Sequence, residues 1–315
     1  MSTNTATAGA PHRDTIPQGM ILMVLAMILL PGIDAIAKAL AGLVSPGQIA
    51  WSRFFFQVLL LAPFAIARGG VRIDAKLWAH AARGFLIALA TLLFFSAIRV
   101  IPLADAIAIF FVQPFIVTLL AALLLGETFG WRRMLAIAIG FGGALLIIKP
   151  SYEVFGLTAL LPVGTAVSFA CYVILTRWLA KTESAIAMQF LAGVFGLLTM
   201  TIALWVGVEL NIPVLKPVWP SFQEWSLLAL LGIIATSGHI FVVMAFSRAP
   251  VAVLAPFQYL EIISATLLGF VFFGDFPDPL TWTGIVVIVT SGLYVFYRES
   301  RIARDGARPD RAAAA

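Results

Sequence analysis

The sequence predicts an all-α polytopic membrane protein, with ten transmembrane helices arranged as an inverted five-plus-five repeat. The first observation behind this is composition. Of 315 residues, 62% are hydrophobic and only 11% charged, too little charge to cover the surface of a soluble domain of that length. Several apolar stretches approach or exceed about 18 residues, the helical length that crosses a hydrocarbon layer of roughly 30 Å. The second observation is an internal repeat. RVIPLADAIAIFFVQPFIVTLLAALLLGE returns as SRAPVAVLAPFQYLEIISATLLGFVFFGD, with Pro102 on Pro250, Ala104 on Ala252, Gly126 on Gly274 and Glu127 on Asp275, all at an offset of 148. Each copy is an apolar run closed by Gly-acid and followed by a Trp that opens another run, at Trp131 and Trp282. So long a period is no solenoid signal; one half of the molecule is built again as the other.

The third observation is where the bases fall. With the N-terminus placed in the cytoplasm, fifteen of the twenty Lys and Arg lie on that side. They are Arg13, Arg68, Arg72, Lys76, Arg83, Arg132, Arg133, Arg177, Lys181, Arg248 and the five arginines from Arg298 onward. Lys38, Arg99, Lys149 and Lys216 fall outside, and Arg53 lies within a span. Cytoplasmic loops of membrane proteins carry such an excess, so the basic balance reports topology. No motif supports nucleic-acid binding. Five spans per half is an odd number, so the second half enters from the opposite face, the layout of many secondary transporters.

In chain order, residues 1–18 are small and polar and read as a cytoplasmic tail. The apolar run after them has Asp34 and Lys38 near its end and no Ala-x-Ala site, so it reads as a span and not as a cleaved signal. The first five-helix repeat, 19–149, has spans at 19–40, 46–68, 77–98, 103–125 and 131–148. The second, 150–298, has them at 156–178, 184–208, 225–246, 250–273 and 281–297, and a cytoplasmic tail follows at 299–315. Pro31-Gly32 is expected to kink or unwind the first span. Short linkers make neighbours antiparallel; the long one, 209–224, has three prolines and Trp219 and suits the membrane interface. Glycines in the fifth, seventh and tenth spans allow close helix packing within a monomer or across a homodimer.

Ionisable groups at membrane depth are costly unless paired or placed on a water-filled path. Asp34 and Lys38 are spaced i,i+4 and can pair on one face, as a structural pair or as the lining of an outer pathway. Arg53 sits early in the second span, where anchoring or local structure is the favoured reading. Asp105, three residues after Pro102, suits a helix start, with Arg99 as a nearby partner; Glu127 and Asp275 read the same way at span ends. Glu261 differs: it lies mid-span with no base within eight residues. The repeat sets it opposite Gln113, and Gln258 and Tyr259 lie close by. Cavity lining and structural pairing both fit it. His239, also mid-span, is either a satisfied buried histidine or a titratable group beside a cavity.

One cysteine, Cys171, excludes an intrachain disulfide and leaves nothing for a thiolate metal cluster. No P-loop, nucleophile elbow, zinc motif or dinucleotide fingerprint is present where it would need to be. No enzyme, no metal and no cofactor are expected.

The two repeat copies, PLADAIAIFFVQPFIVTLLAALLLGE and APVAVLAPFQYLEIISATLLGFVFFGD, together with Arg53 after the first hairpin, resemble a bacterial permease of the drug/metabolite transporter superfamily with two EamA-type domains. The run GHIFVVMAFSRAPVAVLAPFQYLE followed by SGLYVFYRE is similar to the branch of S-adenosylmethionine- and riboflavin-transporter-like permeases. The resemblance covers about 19–298 and departs in the first span, where LLPGIDAIAK replaces the commoner Trp-containing pattern. It implies an inner-membrane protein with both termini cytoplasmic and a central cavity lined mainly by the first, third, fourth, sixth, eighth and ninth spans. Carried onto this chain, that makes Asp34, Gln113, Tyr172, His239, Gln258, Tyr259 and Glu261 candidates for binding or coupling. The expected function is secondary transport of a small polar or amphiphilic metabolite with a positive centre. Glu261 would serve as counter-charge and, in exchange, as proton acceptor. The alternatives are a neutral aromatic vitamin such as riboflavin, stacked on Trp51, Tyr172 and Tyr259, or a channel-like protein that transports nothing by alternating access.

The distribution of bases is tested by single cysteines read with a membrane-impermeant thiol reagent. Those at Thr5 and Arg308 are labelled from the cytoplasmic side and one at Lys216 from outside; labelling of Thr5 and Arg308 from opposite sides overturns the odd span count.

Overall fold

A computed structural model describes residues 16–67, 76–125, 131–179, 183–249 and 251–306. Expectations that fall on residues 1–15, Arg68, Arg72, Gly126, Glu127, Lys181, Pro250 and 307–315 lie outside the described residues. The first half runs through α1 (Ile16–Ala39), α2 (Pro46–Ala67), α3 (Leu77–Ile98), α4 (Leu103–Phe110), α5 (Gln113–Leu125) and α6 (Trp131–Phe155). A 3-10 turn, Gly156–Leu160, leads into α7 (Leu161–Leu179), α8 (Ala185–Glu209), α9 (Phe222–Arg248), α10 (Val251–Gln258), α11 (Leu260–Phe273) and α12 (Pro279–Gly306). Among the described residues seven helices are long and apolar enough alone to cross a membrane, and shorter apolar helices at Met134–Ile148, Leu260–Phe273 and Pro279–Val295 complete ten. Leu123, Leu145, Ile202, Leu267 and Val286 are exposed on the outer surface. In water that surface would aggregate; against lipid it is the required one.

Local chemistry sets where the helices begin and end. Ser221 and Glu224 form a reciprocal capping box at the start of α9, and Ser184 accepts from Ala187 N at the start of α8. Pro46 and Pro279 open their helices, where a missing N–H costs nothing. The long linker is held down as well as interfacial. Gln48 on α2 donates to Val218 O at 2.9 Å and accepts from Val218 N at 2.8 Å, while Trp219 is 93% exposed.

Helix continuity differs from expectation. α1 is not unwound at Pro31-Gly32: a single proline removes one bond, and the bonds on either side carry the helix past it. The interruptions fall in the fourth and ninth spans, at Phe111–Val112 and at Tyr259. Those positions are equivalent in the repeat. Pro114 gives Phe110 O no donor, and the chain tightens locally, with Val112 N bonded to Ile109 O and Phe115 N to Val112 O. In the second copy Ile262 N bonds to Tyr259 O in the same i−3 pattern. Phe111 and Tyr259 then meet, ring centroids 5.4 Å apart. Repeat-equivalent residues that touch lie beside the axis relating the halves. Gly292 on α12, which has no side chain, makes room for the Tyr259 hydroxyl.

The packing is the inverted repeat seen from the inside. α1 packs on α9 as α7 packs on α3, and α1 on α11 as α7 on α5; α2 with α8 and α6 with α12 are pairs that map onto themselves. In the α6–α12 pair, a Cβ at Gly284 would lie 2.4 Å from Ile147 Cγ1, so only glycine permits that approach. The symmetry is incomplete: α3 packs on α2 and α1 with no counterpart of that extent in α9 on α8 or α7 among the described residues, and the two broken spans differ in the same way. α4 packs on α11, but its equivalent, α10 on α5, makes no contact of that extent among the described residues. α10 leans on α1 and α12, and α5 on α7. One end of the molecule is gathered and the other is not.

The gathered end carries a latch. Gly274, at φ 71°, ends α11 in the left-handed turn that suits glycine. Asp275 N bonds back to Gly269 O at 3.1 Å, and the Asp275 carboxylate is thereby aimed across the molecule. It pairs with Lys38 at the end of α1. Lys38 also donates to Ile101 O at 3.1 Å and lies 5.3 Å from the Phe273 ring centroid. The expected Asp34–Lys38 pair is therefore replaced by a contact 237 residues apart in sequence. Asp275 is more than a helix cap, and Asp105 lies near this group, with Thr281 and Asp278, rather than with the exposed Arg99.

Replacing Lys38 with Met removes an ion pair worth roughly 1 kcal/mol at this exposure and loosens that end. In a Cys171→Ser background, a cysteine at Phe94 should then react about fivefold faster with an impermeant thiol reagent added from the Lys38 side. An unchanged rate means that the pair does not close that end.

Candidate functional site

Between the two broken spans, at the level of their breaks, lies a cavity of about 240 Å³. Its wall carries five phenylalanines, Phe94, Phe95, Phe110, Phe111 and Phe169, among aliphatic side chains. Its polar groups come from both halves: Asp34 on α1, Arg53 on α2, Gln113 at the start of α5, His239 on α9, Gln258 at the end of α10 and Glu261 in the first turn of α11. Thr91 and Thr165 complete the lining. Gln113 and Glu261, one repeat offset apart, face the same space, as do Phe110 and Gln258. The helix breaks explain this. Each resets the direction of the span at mid-depth and turns the first residues of its second segment inward, where an acidic side chain such as Glu261 also lies near a helix start.

Each polar side chain is held differently. His239 has Nδ1 at 2.8 Å from Ala235 O; a carbonyl can only accept, so Nδ1 carries the proton and the neutral ring has Nε2 as its free acceptor. Thr91 donates to Ile87 O at 2.8 Å and accepts from Arg53 Nη1. Thr165 donates to Leu161 O at 3.0 Å. The charges of Glu261 and Arg53 both act on Asp34, yet Lys38–Asp275 is the only ion pair within 4 Å among the described residues. The site therefore holds two carboxylates and one guanidinium that sense each other without touching.

Five of the eight candidates read from the sequence line this cavity: Asp34, Gln113, His239, Gln258 and Glu261. The three large rings do not. Trp51 donates to Thr201 Oγ1 at 2.9 Å and stacks on Phe55. Tyr259 is turned to Phe111 and α12. Tyr172 serves Arg83, which is 1% exposed and was counted on sequence among the cytoplasmic bases. Arg83 donates from Nε to Thr176 Oγ1 at 2.9 Å, from Nη1 to Met188 O at 3.1 Å and from Nη2 to the Tyr172 hydroxyl at 3.2 Å. Its guanidinium also lies 4.9 Å from the Tyr172 ring centroid. Phenylalanines take the place of the expected rings. Arg53, read from the sequence as an anchor or a local structural group, donates to Thr91 and also lines the cavity. The signal available was its position inside a span without an acid nearby in sequence.

A cavity at mid-membrane, between repeats and beside interrupted helices, is where secondary transporters bind substrate. Comparison with known proteins agrees with that architecture. The family model for EamA-like transporters matches twice, at residues 17–149 and 156–297. An S-adenosylmethionine uptake transporter of Rickettsia conorii is 28% identical over 85% of this chain and 88% of its own. A riboflavin transporter of Rhizobium johnstonii is 28% identical over 94% of this chain and 96% of its own. A pseudopaline exporter of Pseudomonas aeruginosa is 29% identical over 88% and 95%. A protein of known crystal structure, 20% identical, superposes with a TM-score of 0.61 over 91% of this chain and 99% of its own, a likeness of fold. With matches to both halves and a multi-pass helical repeat around one central cavity, the chain belongs to the EamA-like transporter family.

Proposed function

We propose that this protein is a secondary transporter of the bacterial inner membrane, with both termini cytoplasmic, that moves a small polar metabolite bearing a positively charged centre. The observation that carries the reading is the pair of carboxylates, Asp34 and Glu261, lining the central cavity beside a single guanidinium, Arg53. Two carboxyl groups share the cavity with one guanidinium, so the site has the means to take up a positive charge. At an effective dielectric of about 20, a cation about 4 Å from a carboxylate gains roughly 4 kcal/mol, an attraction of the size needed to offset part of its dehydration. Glu261 holds either that cation or a proton, so one site couples the two flows. The asymmetry between the α4–α11 and α5–α10 contacts supplies the two states. Opening the latched end and closing the other would exchange the roles of the halves.

The S-adenosylmethionine carried by one group of relatives is a sulfonium cation, in keeping with this reading. The phenylalanine wall favours one other, a flat neutral vitamin of the kind named for the riboflavin-transporting relatives, held by stacking alone.

Proteoliposome uptake separates the two. Glu261→Gln at equal expression should lower transport of S-adenosylmethionine at least tenfold and flatten its pH dependence, while riboflavin uptake stays low in both proteins. Full transport with the wild-type pH profile makes Glu261 structural and removes the cationic reading.

A further inference from the structure

Among the described residues two arginines, Arg53 and Arg83, are buried in the helical body of the protein, and they are satisfied to different degrees. Arg83 has named acceptors for Nε, Nη1 and Nη2 and a tyrosine ring against its face. Nothing about it asks for a ligand. Arg53 is 9% exposed, lines the cavity and has one acceptor, Thr91 Oγ1, itself committed to Ile87 O. Its Nε is buried without a partner. Asp34 is near enough to act on it electrostatically, but the two make no ion pair. The remaining contact is the Phe54 ring, 5.3 Å from its guanidinium carbon. A guanidinium has five donors in a planar fork that matches a carboxylate. Leaving such a charge buried and partly unpaired is costly unless something completes it.

We infer that Arg53 is the residue that binds an anionic group of the substrate, so that the transported molecule is a zwitterion, its carboxylate on Arg53 and its cation toward Asp34 and Glu261. This rests on the cationic-substrate reading above and narrows it. Charge matching favours it: with Glu261 protonated, the cavity offers one negative and one positive side chain, the complement of a zwitterion's two groups. Asp34 and Arg53 line the same cavity without forming an ion pair, so each is left to a separate charge of the bound molecule. Phe94, Phe110 and Phe169 are left for its apolar or aromatic remainder. A neutral flavin would leave the charges of Asp34 and Arg53 unmatched.

Full-length protein in proteoliposomes tests this with S-adenosylmethionine, its decarboxylated form and riboflavin as probes. The first two share the sulfonium and differ in the carboxylate. Wild type should favour the carboxylate-bearing probe by about thirtyfold in kcat/KM, at the low end for truncating one partner of a buried charge pair. Arg53→Gln should lower transport of that probe about thirtyfold more than transport of the decarboxylated one, and Arg53→Lys should recover part of the preference. The wild-type comparison stands even where a variant fails to fold. Equal wild-type transport of both sulfonium probes, with Glu261→Gln abolishing both, overturns the role of Arg53 and leaves the cationic reading intact. Equal losses for both probes in Arg53→Gln make Arg53 structural. Uptake of riboflavin alone, or of none of the three, overturns both readings.

Discussion

Charge without water is what the rest of this structure is arranged around. A span of Leu, Ile, Val and Phe assembles with little specification, whereas each ionisable side chain placed among them has to be dealt with individually. The protein does so in three ways. Arg83 is surrounded by neutral acceptors and a ring, which spreads its charge without an acid. Lys38 is paired with Asp275 and a carbonyl at one end of the molecule. Asp34, Arg53 and Glu261 are left facing a common space, with their requirements only partly met by the protein. The first two arrangements hold the fold together. The third leaves room for a ligand, and keeping it stable in the meantime falls to the packed helices around it.

The repeat supplies the means. Duplicated Gly-acid endings look like generic helix stops, and Gly274 shows what such a stop does in three dimensions. A left-handed turn reverses the chain so that the next residue, Asp275, points across to another helix instead of onward into solvent. Duplicated mid-span positions likewise bring Gln113 and Glu261 to one cavity from opposite sides. The copies have diverged where chemistry occurs. An amide faces an acid, and a phenylalanine, Phe110, faces an amide, Gln258, so a nearly symmetric scaffold encloses an asymmetric site.

Much of this was legible in the sequence. Hydropathy and linker length placed the ten spans to within a few residues, apart from longer runs in α6 and α12, and the offset of 148 paired Gln113 with Glu261 before any coordinates. The helix breaks were not legible, because the two copies do not share their prolines: Pro114 stands opposite Ile262, and Pro256 opposite Ala108. Unbroken apolar text hides a kink that backbone bonding makes. The partner of Lys38 was missed for a related reason. Spacing of i,i+4 offers Asp34 from within the helix, but the partner chosen lies on another helix and depends on the whole fold. Trp51, Tyr172 and Tyr259 were misplaced because a ring's value for stacking says nothing of which way its helix is rotated; Thr201, Arg83 and Phe111 claim them instead.

The contact of Phe111 with Tyr259 has a consequence of its own. Interchanging the two halves turns most contacts into different ones, so α4 against α11 becomes α10 against α5. A contact between equivalent positions turns into itself. Whatever that ring pair contributes, it contributes alike to either arrangement and cancels from the difference between them. It can fix where the halves turn while leaving undecided which way they rest. Any bias must come from contacts without a counterpart, such as that of Lys38 with Asp275. Pivot and bias therefore sit at separate places in the molecule, and evolution can retune the resting state without disturbing the hinge.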